Sequence, residues 1–143
     1  MTKWDTRFLE LARMVAGWSK DPRGGVGAVI TQGNRIVSVG FNGLPRRVQD
    51  LPERYGRRAV LHAEENAILF GGHRVAGGRL YVWPLMPCPA CTARMIQVGI
   101  AELVTPSMPP VDQDPESAAA WLLAKQMLRE AGMQVQGYQE IGR

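Results

Sequence analysis

Five apolar positions, Trp4, Phe8, Leu11, Val15 and Trp18, recur at spacings of four, three, four and three, which is one stripe of an α-helix. Gly17 and the Ser19-Lys20-Asp21-Pro22 that follows end it. The period then changes. Residues 26–31 (V-G-A-V-I-T) and 35–41 (R-I-V-S-V-G-F) are β-branched runs joined by Gln32-Gly33-Asn34, which predicts a hairpin. A loop rich in Pro and Arg covers 42–58. Helical composition returns from about 61 to 70 and stops at Gly71-Gly72. Leu80 to Trp83 has the length and composition of a buried strand, a helix follows Cys88 through Gln97 to Gly99, and Ile100 to Val104 is another strand. Asp114-Pro115 has the form of a helix cap with a first-turn proline, Trp121, Ala124, Leu128 and Ala131 carry that helix to Gly132, and Met133 to Tyr138 adds a last strand. A leading helix followed by β-β-α-β-α-β-α alternation predicts an α/β fold, a mixed sheet covered by helices on both faces.

A chain of 143 residues, 45% of them apolar and four of them Trp, is expected to form one domain over 1–143 with a packed core. No apolar run approaches the ~18 residues of a membrane span. Met1 to Arg7 is not followed by the apolar stretch of a signal peptide, so a cytoplasmic location is expected. The formal charge of +4 lies largely in Arg46-Arg47 and 54–58, a segment that also holds Asp50 and Glu53. A solvated loop and an anion site fit that segment equally well. A nucleic-acid groove is not expected, because only Tyr55 stands among the basic residues.

Chemistry enters with the two cysteines, both in Pro87-Cys88-Pro89-Ala90-Cys91. A disulfide, a redox pair, a structural metal knuckle and half of a catalytic metal site are the competing readings. In a reducing compartment a close pair more often binds metal or does chemistry than forms a structural disulfide. Upstream, Val60-Leu61-His62-Ala63-Glu64 opens the second helix. His62, Cys88 and Cys91 are three good zinc ligands. Residues two apart on a helix point about 200° from each other, so His62 and Glu64 converge only if His62 sits at the helix entrance. Both helix N-termini would then face one cation. A structural zinc site takes four protein ligands, and His73, in a glycine-bounded loop, is a weak candidate for the fourth. Three ligands leave a position for water, and a redox pair leaves the His-Ala-Glu unexplained.

His62-Ala63-Glu64 followed 26 residues on by Cys88-Pro89-Ala90-Cys91 resembles the signature of the zinc-dependent cytidine and deoxycytidylate deaminase superfamily. Ser19 to Pro22, Val26-Gly27-Ala28, Gly40 to Pro45, His62 to Ile68 and Ile96 to Ile100 resemble segments of its deoxycytidylate (dCMP) branch in the same order, over roughly residues 5 to 104. The resemblance implies a three-layer α-β-α cytidine deaminase-like fold with a central mixed five-stranded sheet. It implies one Zn2+ on His62, Cys88 and Cys91, with Glu64 as the proton shuttle in hydrolysis of dCMP to dUMP and ammonia. It also implies Asn42 on the sugar, the Ala63 backbone on the base and Val26 on the ring. Arg23 is the nearest basic residue for a 5′-phosphate. Neighbouring substrates within the superfamily are nucleosides, free bases, modified cytosine nucleotides and tRNA adenosine; a non-catalytic zinc module is the reading from outside it. Partners implied are a small nucleotide substrate and further copies of the chain, as a hexamer or dimer, with a Mg2+-nucleoside triphosphate effector near Asn42 to Pro45.

Two departures from that branch are visible. The segment from Tyr81 to Cys88 is one residue longer than expected, beside the metal ligands, and the stretch Thr105 to Asp114 lacks a tyrosine that holds phosphate in relatives. Arg46 and Arg47 are then further candidates for phosphate.

Overall fold

The computed structural model describes residues 1–56, 58–107 and 114–140. Helix α1 spans Lys3–Ala16 and starts in a capping box: Thr2 Oγ1 accepts from Asp5 N, and Asp5 Oδ2 accepts from Thr2 N. Strands β1 (Gly27–Gln32) and β2 (Arg35–Phe41) form the expected hairpin, turning at Gly33, whose φ of 58° is costly for other residues. Helix α2 (Ala63–Gly71), β3 (Arg79–Trp83), α3 (Pro89–Gln97), β4 (Glu102–Pro106), α4 (Pro115–Glu130) and β5 (Gln134–Tyr138) follow.

The sheet order is β2-β1-β3-β4-β5. β1 runs antiparallel to β2 and β3, while β3, β4 and β5 are parallel, their links made by α3 and α4. The expected mixed five-stranded sheet is present. Its two faces bury different cores. Ala28, Ile30, Leu80, Val82 and Leu103 pack with Ala67, Met95 and Leu128 of α2, α3 and α4. Val29, Tyr81, Val104 and Tyr138 pack with Phe8, Leu9 and Ala12 of α1. Strand alternation sends neighbours along β1, β3 and β4 to opposite faces.

The predicted stripe of α1 is rotated. Phe8 and Val15 are buried, but Trp4 and Trp18 are exposed, and the buried face runs through Asp5, Phe8, Leu9, Ala12, Val15 and Ala16. Small residues win there because the helix lies very close to β1: a Cβ on Gly27 would stand 1.9 Å from Ala12 O. The same device seats α2, since a Cβ on Gly40 would stand 2.4 Å from Ala63 O. β4 begins at Glu102 and not Ile100, which is buried just before the strand. Among the described residues no helix is long and apolar enough to cross a membrane.

Candidate functional site

His62 and Cys88 are the N-caps of α2 and α3. Both have extended backbones (ψ of 158° and 169°), so each side chain stands at a helix entrance, where the next amides lack intrahelical acceptors. Pro89 occupies the first turn of α3 and needs no hydrogen bond there. Cys91 N donates to Cys88 Sγ at 3.5 Å, one turn on. His62 Nδ1 lies 3.6 Å from Cys88 Sγ and 3.2 Å from Cys91 Sγ, and the three ligand atoms lie within 4.8 Å of one another.

This set suits zinc. Bonds of about 2.3 Å to sulfur and 2.0–2.1 Å to nitrogen at tetrahedral angles separate N and S by about 3.6 Å. One thiol of the pair is also primed to ionise: Cys88 is lowered to about 4, first by the Cys91 thiol, then by His62 and the Cys91 amide, against the cost of burial. Cys91, sharing that proton and nearly dry, is pushed up. His62 is raised, chiefly by its bond to Cys88. Among the described residues no fourth histidine, cysteine or carboxylate joins the cluster, and His73 is exposed in a one-turn helix, Gly72–Val75.

Glu64 occupies the second position of α2 and is 4% exposed. Burial pushes its carboxyl above the usual range, against its own backbone amide and His62. Glu65 points elsewhere. Its Oε1 accepts from His62 N at 3.0 Å, while Oε2 meets Arg94 Nε at 3.1 Å, so one carboxylate ties the entrance of α2 to α3.

A cavity of about 300 Å³ opens beside the cluster, and its lining includes His62, Cys88, Glu64, Ala63, Val26, Asn42 and Arg23. His62, Glu64 and Cys88 thus face one space with Val26, Ala63, Asn42 and Arg23, the residues that the resemblance assigns to the substrate. Asn42 is 8% exposed, and its amide is engaged: Oδ1 accepts from Val26 N, and Nδ2 donates to Asp21 Oδ2 and Gly24 O. It builds the wall of the cavity as much as it faces it. Asn66 Nδ2 donates to Phe41 O and braces the same loop from α2.

Sequence reasoning passed over Asp21. Its buried carboxylate takes the Arg23 guanidinium in a two-point fork at 3.1 and 2.9 Å and also receives Asn42, and its pKa is lowered, first by Arg23. The signal was an Asx-type turn residue before Pro22. Arg23 keeps an exposed side chain, with Nη1 outside the fork. Leu85 and Met86, in the lengthened turn before Cys88, complete the cavity. Arg46 does not line it; its guanidinium lies 5.6 Å over Phe70, across a separate cavity, because the loop turns away after Gly43 pairs with Leu61. Of the stretch Thr105 to Asp114, where the missing tyrosine was noted, residues 108–113 lie outside the described residues.

Residues 2–106 match the family model of the cytidine and deoxycytidylate deaminase zinc-binding region. The chain is 41% identical over 143 aligned residues to an uncharacterized deaminase in the luxG 3′ region of Aliivibrio fischeri, covering 94% of this chain and 93% of that one. It is 37% identical to the Homo sapiens deoxycytidylate deaminase, covering 85% of this chain and 74% of that protein. The fold matches the dCMP deaminase of cyanophage S-TIM5, solved with dCMP and dUMP, at a TM-score of 0.77 and 22% identity, over 96% and 99% of the two chains.

Proposed function

Because the chain belongs to the cytidine and deoxycytidylate deaminase zinc-binding family, we propose that it hydrolyses a cytosine nucleotide, converting dCMP and water to dUMP and ammonia. The observation that carries the reading is the convergence of His62, Cys88 and the buried Glu64 on one 300 Å³ cavity that also holds the Asp21-anchored Arg23.

His62 Nδ1, Cys88 Sγ and Cys91 Sγ would hold a zinc ion, which when bound lowers the pKa of water to about 7 and so makes it a nucleophile near neutrality. Glu64 takes a proton from the attacking water and passes it to ring N3 as the oxygen bonds to C4. It then moves a proton to the amine, which leaves as ammonia while the oxygen stays as the 4-keto group. Burial keeps solvent from competing for that proton. The Ala63 backbone meets the base, Val26 packs on the ring, Asn42 meets the sugar, and Arg23 offers Nη1 to the 5′-phosphate. Asp21 holds the arginine in place at no cost to its outward donors.

The same reading places the reaction in the cytoplasm and the chain in a hexamer or dimer. An exposed apolar face supports assembly, with Phe41, Leu69 and Phe70 between 38 and 65% exposed. A Mg2+-nucleoside triphosphate effector would bind near Asn42 to Pro45, where Arg46 lies over Phe70; a saturation curve unmoved by such a triphosphate removes it.

Ammonia release from dCMP, cytidine and an anticodon stem, measured in parallel with zinc-loaded protein, tests the reading. dCMP is expected to turn over fastest. No ammonia from any of the three overturns deamination, and faster release from cytidine or the stem overturns the nucleotide assignment.

A further inference from the structure

A second cavity, of about 420 Å³, lies between α4, the carboxyl end of β4 and strand β5. Among the described residues only Met86 lines both this cavity and the smaller catalytic one. The walls of the larger cavity are apolar where they meet the core, at Leu128 and Met133, and charged at the mouth, at Lys125 and Arg129. These two cations stand one turn apart on α4, a spacing at which like charges repel. Among the described residues neither has an acidic partner. Lys125 Nζ lies 4.5 Å over the ring of Trp121, which also lines the cavity, so the ammonium is held at the mouth.

Inside, Thr105 is 5% exposed and lines the cavity, and among the described residues its Oγ1 has no hydrogen-bond partner. Thr105 lies two residues after Leu103 on β4, so both face α4. A buried hydroxyl left unpaired is costly, and a polar group of a ligand would satisfy it. Two converging cations match a dianion better than a carboxylate, and the aromatic and thioether walls at Trp121 and Met86 match a flat ring.

We propose that this cavity is a second binding site, separate from the catalytic one, for a nucleoside monophosphate. The base lies among Met86, Trp121 and Leu128, a polar edge meets Thr105 Oγ1, and the phosphate pairs with Lys125 and Arg129. The assignment does not depend on the catalytic reading.

The test uses the zinc-loaded full chain carrying 5-fluorotryptophan, with the Trp121 fluorine signal assigned by its loss in Trp121→Phe. Thymidine 5′-monophosphate, which has no amine to lose, is expected to shift that signal saturably. Thymidine and inorganic phosphate, each offering half of the ligand, are expected to bind at least tenfold more weakly. Lys125→Ala with Arg129→Ala is expected to weaken the nucleotide at least tenfold, with the signals of Trp4, Trp18 and Trp83 in place and KM for dCMP unchanged. Thr105→Val, nearly the same shape without the hydroxyl, is expected to weaken it severalfold. A Trp121 signal unmoved at millimolar nucleotide overturns the site. So does equal binding by the double variant or by phosphate alone. A rise in KM for dCMP in the double variant joins the cavity to the catalytic one and overturns its separateness.

Discussion

Two carboxylates are buried to almost the same degree, Asp5 at 2% and Glu64 at 4% exposed, and their charges are treated in opposite ways. Burial also works against Asp5, but Tyr81 O–H donates to it at 2.6 Å, Thr2 N at 2.9 Å and Arg79 Nη1 at 2.8 Å, and its pKa is held below the usual 3.8. Arg79 in turn meets Glu102 at 2.7 Å. Glu64 has only its own backbone amide and the Cys91 thiol as donors, and burial outweighs them and pushes it up. Donors as well as depth decide the outcome. A carboxylate surrounded by donors is fixed as an anion and holds α1 to the sheet. One left short of donors beside a cavity is free to exchange a proton with whatever enters.

The contrast is sharpest if each carboxylate is removed in turn. Glu64→Gln keeps the shape and loses the titratable oxygen, so turnover of dCMP is expected to fall about 10³-fold, the middle of the range for acid–base groups. Zinc content, read by atomic absorption, stays at one per chain, and thermal unfolding scarcely moves. A zinc-free Gln variant would mean that Glu64 holds the metal centre together, which breaks the comparison.

Asp5→Ala is expected to do the reverse. It strips Arg79 and Tyr81 of a shared acceptor and opens the capping box of α1, a loss of about 3 kcal/mol by the precedent of broken buried ion pairs. Urea unfolding should show that loss, while kcat of the folded enzyme stays within a factor of two. A large fall in kcat at full stability would tie the α1 face to catalysis.

Periodicity made most of the fold legible, because strands alternate and helices cap in ways a single chain reveals. Gly33 marked its turn and Asp114-Pro115 its helix entrance. The face of α1 was misjudged for a physical reason. Close approach at Gly27 selects Ala12 and Ala16 over Trp4 and Trp18, and contact distance between elements leaves no periodic trace. At the site, spacing and the resemblance picked out His62, Cys88, Cys91 and Glu64, which the fold brings together at two helix entrances. Asp21 was not legible, since its work is to hold Arg23 and Asn42, partners 2 and 21 residues away that meet only in the folded chain. Nor was the contribution of Met86 to two cavities.

Glu65 lies between the two extremes and tests whether the comparison is one of kind or of degree. It is the neighbour of Glu64, yet it is hydrogen-bonded as Asp5 is, to His62 N and to Arg94. Arg94→Gln is expected to loosen the link between the two ligand-bearing helix entrances and weaken zinc about tenfold, the lower end for groups that orient ligands. Chelator competition reads this directly, and Arg94→Lys should recover part of it. Unchanged zinc affinity would leave the pair as a surface ion bridge of little consequence, as exposed pairs usually are.

The smallest effect is on the acid limb of stability, and its sign follows from Asp5 alone. Its folded pKa is lowered, so the unfolded chain takes up the proton at higher pH than the folded one does. Stability from Asp5 is therefore complete above the unfolded value of about 3.8 and is lost as pH falls through the folded value. Asp21, also lowered by its hydrogen bond from Arg23, adds to the same limb. Asp5→Asn cannot titrate, so its difference in unfolding free energy from the wild type should shrink as pH drops below about 4 and stay constant above it. Subtracting the two proteins cancels the contributions of Asp21 and of the His62 and cysteine cluster. A difference that is flat through pH 4, or that grows toward acid, would show that the donors around Asp5 do not hold its charge, and the distinction from Glu64 would then rest on location alone.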